Sequence, residues 1–328
     1  MDHNTYQDKL WTKQIGDSLR TDDLQTRTVD LDMLGGTIAS YYHAPWPPNP
    51  SNPTLVMING FGTTADIFRH QLNDSLLTGS VNMLAIEPLG HGKTRTESAE
   101  FSNWDSAAMC VEVVKALNIT GQVFVTGIGQ GGWIAVQMAL LAPDRIAGLI
   151  PIDTSMDSES ERSRKLGCWD APAELTPYID AWAKPYVYRI FEPDSKFVER
   201  QVSSGLGDDA SQAEKDFWTV TMRKHWSGEA GRKRARMSAI NLRDRESLHS
   251  RLSEITCPVL WLHGSRDSVY SVELAREEIE MFVNSPDKRL EVVDAGTHYS
   301  MWSKSEEVNG QLLRCVEQYR GEVGQSSP

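Results

Sequence analysis

The sequence predicts an α/β protein: a mostly parallel sheet with helices on both faces and an inserted helical cap. Three observations carry this expectation. From residue 54 onward, short apolar runs rich in Val, Ile and Leu alternate with longer helical patterns, the texture of strands buried on both faces and joined by crossover helices. Between Thr154 and about Thr256 the alternation stops, and polar helical stretches containing Pro172, Pro177, Pro185 and Pro193 take over. It then resumes with two more strand patterns.

Taken in order, residues 1–26 read as a polar N-terminal arm. Strand patterns follow at TLVMING (54–60), VNMLAIE (81–87), QVFVTG (122–127) and IAGLIPID (146–153). CPVLWLHG (257–264) and RLEVVDAG (289–296) complete the set. The expected organisation is therefore a core from 27–153 and 257–320, a helical cap from 154–256 and a frayed tail from 321–328.

Composition excludes several classes. With 40% hydrophobic and 24% charged residues the chain is ordinary globular material, and no apolar run approaches a membrane span of about 18 residues. Its 33 Lys and Arg against 45 Asp and Glu give a net charge of -12, so neither nucleic acid nor a membrane surface is an expected partner. The first residues lack the apolar stretch of a secretory signal, and a cytoplasmic location is expected. Cys110, Cys168, Cys257 and Cys315 lie far apart without metal-ligand spacing, so they read as free thiols, and no metal is expected.

Four segments carry the candidate chemistry. NGFG (59–62) closes a strand with a glycine-flanked turn that leaves the Phe61 N–H free to face a developing oxyanion. EPLGHGKT (87–94) turns sharply off a strand through Gly90 and Gly92. VFVTGIGQGGWIAV (123–136) is a strand, a tight glycine turn and a helix. WLHGSRDSVYS and VVDAGTHYSMW are apolar strands whose loops present Asp267 and His298.

On these residues, over roughly 27–320, the chain resembles the α/β-hydrolase superfamily. NGFG is similar to the family's oxyanion loop, EPLGHGKT is similar to its D-x-x-G-x-G-x-S turn, and the order of elbow, acid and histidine matches. The texture around GQGGW and APDRI resembles fungal secondary-metabolite hydrolases, zearalenone-type lactone hydrolases and the cofactor-free ring-cleaving dioxygenases of this fold. The resemblance implies hydrolysis of a small apolar ester, lactone or polyketide-like substrate without a cofactor. His298 would relay the proton and Asp267 would hold the imidazole, with Asp153 as the competing acid or else the N-cap of the first cap segment. The Phe61 and Gln130 N–H groups would stabilise the oxyanion. Among the tryptophans, Trp133, Trp169, Trp182 and Trp218 are candidates to line the substrate pocket.

One position departs from the pattern. Where G-x-S-x-G-G places its nucleophile, G-I-G-Q-G-G has Gly129, and neither Thr126 nor Ser300 stands at the elbow. Three readings follow: a serine hydrolase whose nucleophile has been replaced, a natural acid–base enzyme, lyase or ligand-binding pseudoenzyme built around His298, or a Rossmann-type NAD(P) site. The last takes Gly127, Gly129 and Gly132 as G-x-G-x-x-G, with Asp153 at the end of the next strand. His91 and His263 lie in glycine turns and read as structural. GRKRAR (231–236) could suggest an anion site, but acidic neighbours favour a solvated helix face.

Overall fold

The computed structural model describes residues 26–184 and 190–321. The expected arm, apart from Thr26, most of the tail, and Pro185 lie outside the described residues. Each expected strand pattern forms a strand: β3 (Thr54–Ile58), β4 (Asn82–Ile86), β6 (Val123–Ile128), β7 (Ile146–Ile152), β8 (Val259–Gly264) and β9 (Lys288–Val293). Three more were not read from the sequence: β1 (Arg27–Leu31), β2 (Thr37–Ala44) and the two-residue β5 (Arg95–Thr96). These nine make one sheet of order β1-β2-β4-β3-β6-β7-β8-β9, with β5 on β2. Pairing is parallel from β4 to β9 and antiparallel where β1, β2 and β5 take part.

Side-chain alternation splits the core between two faces. Leu55 and Met57 of β3, Met83 and Ala85 of β4 and Phe124 of β6 pack on one face, against helices α1 (Arg69–Leu72), α2 (Ser75–Ser80), α11 (Ser300–Ser303) and α12 (Ser305–Tyr319). Val56, Ile58, Leu84, Ile86, Val123 and Val125 pack on the other, against α3 (Asn103–Ala116), α4 (Gln130–Leu141) and α10 (Val272–Ile279). The central strands are buried along their whole length, which is why they read as unbroken apolar runs. Helix α3 starts at a reciprocal cap in which Ser102 and Asp105 satisfy each other's backbone N–H.

Between β7 and β8 run α5 (Glu161–Lys165), α6 (Ala171–Trp182), α7 (Ser195–Leu206), α8 (Gln212–Trp226) and α9 (Gly228–Arg243). Their aromatic side chains form a cluster in which Trp182, Phe197 and Trp226 contact one another. Phe61 joins it at 5.2 Å from the Trp226 ring, so the loop after β3 is packed directly beneath these helices.

Helix α4 approaches the sheet closely, and two glycines permit it. A Cβ on Gly131 would lie 2.0 Å from the Ile58 carbonyl oxygen, and one on Gly127 would lie 2.1 Å from the Gly131 carbonyl oxygen. Gly131→Ala is therefore expected to lower unfolding free energy in urea by roughly 3 kcal/mol or more, or to leave no soluble protein, because backbone cannot yield as a side-chain tip can. Gly79→Ala, with nothing within 4 Å of its added Cβ, should stay within about 1 kcal/mol of wild type on the stabilising side.

Candidate active site

The parallel strands end nearly level: Ile58 faces Gly127, Ile152 faces both Ile128 and Leu262, and Gly264 faces Val293. The loops leaving those ends hold Phe61, Gly129, Asp153, Asp267 and His298, which gathers five distant segments at the carboxyl edge of the sheet.

At the turn from β6 into α4, Gly129 has φ 52 and ψ -119, a left-handed value that glycine tolerates and L side chains rarely adopt. An ideal Cβ built there would lie 3.0 Å from His298 Nε2. The imidazole's other nitrogen, Nδ1, is 3.0 Å from Asp267 Oδ2. Asp267 Oδ1 accepts the N–H groups of Val269 at 2.7 Å and Tyr270 at 3.0 Å, and its side chain is fully buried. Burial pushes this carboxyl up, but the charge and hydrogen bond of His298, then His263 and the Val269 N–H, hold it below the usual carboxylate range. For His298, burial disfavours the cation, yet Asp267 and more weakly Asp153 carry the net shift upward. The result is an aspartate held ionised and an imidazole made more basic, with Nε2 turned toward position 129.

Asp153 is completely buried and makes no hydrogen bond to His298. It sits at positive φ (47) and spends its carboxylate elsewhere: Oδ1 accepts the Gly264 N–H at 2.7 Å and Oδ2 accepts the Ser300 N–H at 2.9 Å. Burial, then the Asp267 charge, pushes its pKa up to about 7. Its neighbour Thr154 donates its hydroxyl to the Gly129 carbonyl at 2.7 Å. Both expected roles for Asp153 are thereby corrected. It neither orients His298 directly nor caps α5, whose N-cap is Ser160; it ties the acid loop to the histidine loop. A ribose contact is also excluded, since both oxygens are engaged and no surface is exposed.

The glycine turn is filled by protein rather than open to a phosphate. The Cβ positions of Gly127 and Gly132 fall 2.1 Å from Gly131 oxygen and 2.8 Å from the Thr154 methyl carbon. Gly127 and Gly132 are thus accounted for by close packing, and position 129 faces His298.

Phe61, Gln130 and His298 line one cavity with Trp169, Tyr270 and Tyr299, closed from above by Arg200, Gln201 and Ser204 of α7 and Leu242 of α9. It is small, about 40 Å³, room for a few waters. Gln130 is the first residue of α4, so its N–H has no acceptor within the helix and can serve a ligand.

Of the four tryptophans expected at the pocket, only Trp169 lines it. Trp133, 1% exposed, packs on the far face of the sheet under the Arg245 guanidinium, 4.7 Å from the ring centroid. Trp182 belongs to the aromatic cluster of the inserted helices, and Trp218 supports the histidine loop from behind through Tyr299 and Trp302. The sequence reading missed Tyr270 and Tyr299, although each adjoins a residue it singled out, three positions after Asp267 and one after His298. Tyr270 is itself held by the Arg245 guanidinium, which donates to its hydroxyl at 2.9 Å and forms a buried ion pair with Glu159.

His91 and His263 are buried. Burial brings His91 down to about 4, its Nδ1 faces the Leu89 carbonyl at 3.1 Å, and its ring packs against Phe61 and Trp226. His263 Nε2 faces the Tyr270 carbonyl at 3.1 Å. The four cysteines are free thiols, and no cluster of metal-ligating side chains occurs among the described residues. No helix among them is long and apolar enough to cross a membrane.

A family model described as alpha/beta hydrolase fold matches residues 53–305, and with the elbow glycines so packed this match leaves the dinucleotide reading without support. Among curated proteins, a pimeloyl-acyl-carrier protein methyl ester esterase of Nitrosomonas europaea is 23% identical over 220 residues, 67% of this chain and 79% of the relative. The dihydrolipoyllysine-residue acetyltransferase component of an acetoin cleaving system from Pseudomonas putida is 23% identical over 265 residues, 81% of this chain and 64% of the relative. Among solved structures, an esterase from Exiguobacterium antarcticum superposes with a TM-score of 0.72 at 20% identity, covering 89% of this chain and 100% of that one. A thermophilic esterase from Thermogutta terrifontis gives 0.71 at 15% identity, covering 90% and 99%.

The carboxylates around His298 make a measurable prediction. Because Asp267 and Asp153 both raise its pKa, Asp267→Asn should lower the ring titration strongly and Asp153→Asn less so, followed by NMR of the histidine Cε1–H. Asp153→Asn should also cost about 1–3 kcal/mol of unfolding free energy, since an amide NH₂ faces a backbone donor that a carboxylate oxygen now accepts. An unchanged His298 titration in both variants would contradict this electrostatic arrangement.

Proposed function

The chain belongs to the alpha/beta hydrolase fold family, and from that premise we propose a site of ester or lactone hydrolase design whose covalent step is missing at position 129. The supporting observation is the direction in which that position points: its Cβ vector ends 3.0 Å from His298 Nε2. That is tighter than an ordinary Cβ contact, so the imidazole would yield by a few tenths of an ångström to admit a serine, whose hydroxyl would then lie within its reach. In the proposed division of labour, His298 takes the hydroxyl proton, Asp267 stabilises the imidazolium, and the Phe61 and Gln130 N–H groups bind the oxyanion. Glycine leaves the base, its orienting acid and the oxyanion donors without an attacking group.

The substrate we propose is a small, largely apolar ester or lactone, with polyketide-like lactones within the class. Phe61, Trp169, Tyr270, Tyr299, Ile128 and Leu242 give the cavity apolar walls, and polar groups come from α7 at the closed side. Since about 40 Å³ is far below the ~300–1,000 Å³ typical of ligand pockets, on this reading the side chains that α7 and α9 set over the cavity yield when a substrate enters. Curated relatives named as methyl ester esterases and as putative carbamate hydrolases support attack at an acyl carbon rather than a redox substrate, and the apolar cavity walls lead us to place the ester first.

A second reading follows from the same pair: His298, with its raised pKa and Nε2 facing the cavity, acts as the general base itself, on a water or on an acidic substrate proton. The two readings part in one experiment. Under the hydrolase reading, Gly129→Ser is labelled by a fluorophosphonate and gains activity on short aryl esters by on the order of 10³-fold or more, while the glycine form is not labelled and loses nothing further on His298→Ala. Turnover by the glycine form that His298→Ala abolishes would establish the second.

Restored activity should carry the signature of the pair. The base form of His298 is required, and Asp267 raises its pKa, so kcat/KM of Gly129→Ser should fall on the acid side with a midpoint above 6.5. Adding Asp267→Asn should move that midpoint to lower pH while reducing the rate. The serine should also cost about 1–3 kcal/mol of stability, because it adopts a left-handed backbone that glycine accepts freely.

A further inference from the structure

The basic run on α9 is not the solvated face expected from the sequence. Lys233 is exposed, but Arg232 is 6% exposed, paired with Glu229 and donating to the Trp182 carbonyl, and Arg234 is half-buried. Facing α9 is the segment that leads from β4 into β5, where Arg95 is the first strand residue. Arg95, Lys233 and Arg234 line one groove of about 230 Å³, floored by Gly90 and Phe101.

None of these three cations is within 4.0 Å of a carboxylate among the described residues. Arg95 donates through Nη1 to the carbonyls of Gly92 and Thr94, and Arg234 donates through Nη2 to the His225 carbonyl at 2.7 Å. The Arg234 Nε is buried without a hydrogen-bond partner. The nearby Glu87 is already engaged, its oxygens accepting the N–H groups of Ala65 and Lys93. Glu97, at the rim, is the one acidic residue lining the groove among those described. Burial, then the charge of Arg95, brings the Arg234 guanidinium down to about 10. Two guanidiniums and an ammonium thus line one recess; the buried Glu87 charge acts on Arg95 from a distance, but no carboxylate pairs directly with any of the three among the described residues.

We propose that this groove binds a phosphate group, free or as a small phosphomonoester, between Arg95 on one wall and Lys233 and Arg234 on the other. Guanidiniums suit the ligand because their remaining N–H groups, those of Arg95 Nη2 and Arg234 Nη1 among them, can donate to phosphate oxygens, and Lys233 adds a mobile point charge. The site would also bridge two parts of the fold. Its Arg95 wall belongs to the turn that Trp226 and His225 hold through the Gly90 and Gly92 carbonyls, and its other wall is α9, one of the helices over the cavity. Phosphate bound there would fasten α9 to the core and favour the closed cavity. A chain of net charge -12 does not gather anions over its general surface, so saturable phosphate binding reports a local site.

The test uses the full chain, with inorganic phosphate and glycerol phosphate titrated at constant ionic strength set by sodium chloride. Calorimetry should give one saturable site with a dissociation constant in the millimolar range or below, and thermal melts should rise with phosphate but not with chloride. Lys233→Gln, at an exposed position, and Arg95→Gln, whose loss of the Gly92 and Thr94 hydrogen bonds is monitored by a phosphate-free thermal melt, should each weaken binding by about tenfold or more, while Lys115→Gln on α3 should not. Preference for glycerol phosphate assigns the monoester; equal binding assigns the free anion. Equal stabilisation by chloride and phosphate, or unchanged binding in both groove variants, overturns the proposal.

Discussion

A single buried carboxylate ties the active-site edge together. Asp153 accepts one backbone N–H from the end of β8 and one from the start of the short helix after His298, and Thr154 beside it binds the carbonyl of Gly129. A carboxylate buried at the end of an apolar sheet is costly unless its oxygens are hydrogen-bonded, and here that requires both loops to be in place. The elbow, the acid loop and the histidine loop therefore settle as one unit. Distances such as the 3.0 Å between Asp267 and His298 are consequences of that coupling as much as of their own attraction.

The same coupling explains what could be read from the sequence. Strands β3, β4, β6, β7 and β8 are buried on both faces, so each announces itself as an unbroken apolar run. β1 alternates half-buried and exposed residues and β5 has two residues, so neither carries such a signal. The Asp267 and His298 loops were legible because each follows a strong strand pattern. What Asp153 does was not, because its partners lie 111 and 147 residues away and only the level strand ends bring them together. Tryptophan assignment failed for a different reason. Helix α4 is buried along most of its length, so no polar face in its sequence says which side of it meets the cavity, and Trp133 faces away.

Stability bears differently on the two halves of the site. The Asp267 carboxylate is fully buried, and His298 is its nearest ring partner; removing the imidazole would leave it only the Val269 and Tyr270 N–H groups and His263 at 3.5 Å, a destabilising loss. Packing alone is thus enough to retain this pair, and its presence says little about chemistry. The elbow is the opposite case. A left-handed residue with a side chain is strained, and glycine relieves that strain at no cost in contacts, so stability favours Gly129 wherever no reaction requires otherwise. The feature stability does not by itself require is the aim of the turn, which points an absent Cβ at His298 Nε2 while Phe61 and Gln130 line the same cavity. On the proposed reading, that aim is the imprint of the hydrolytic design. A site shaped by ligand binding alone would have had no reason to keep position 129 facing the base rather than filling the space with a side chain from the cavity wall.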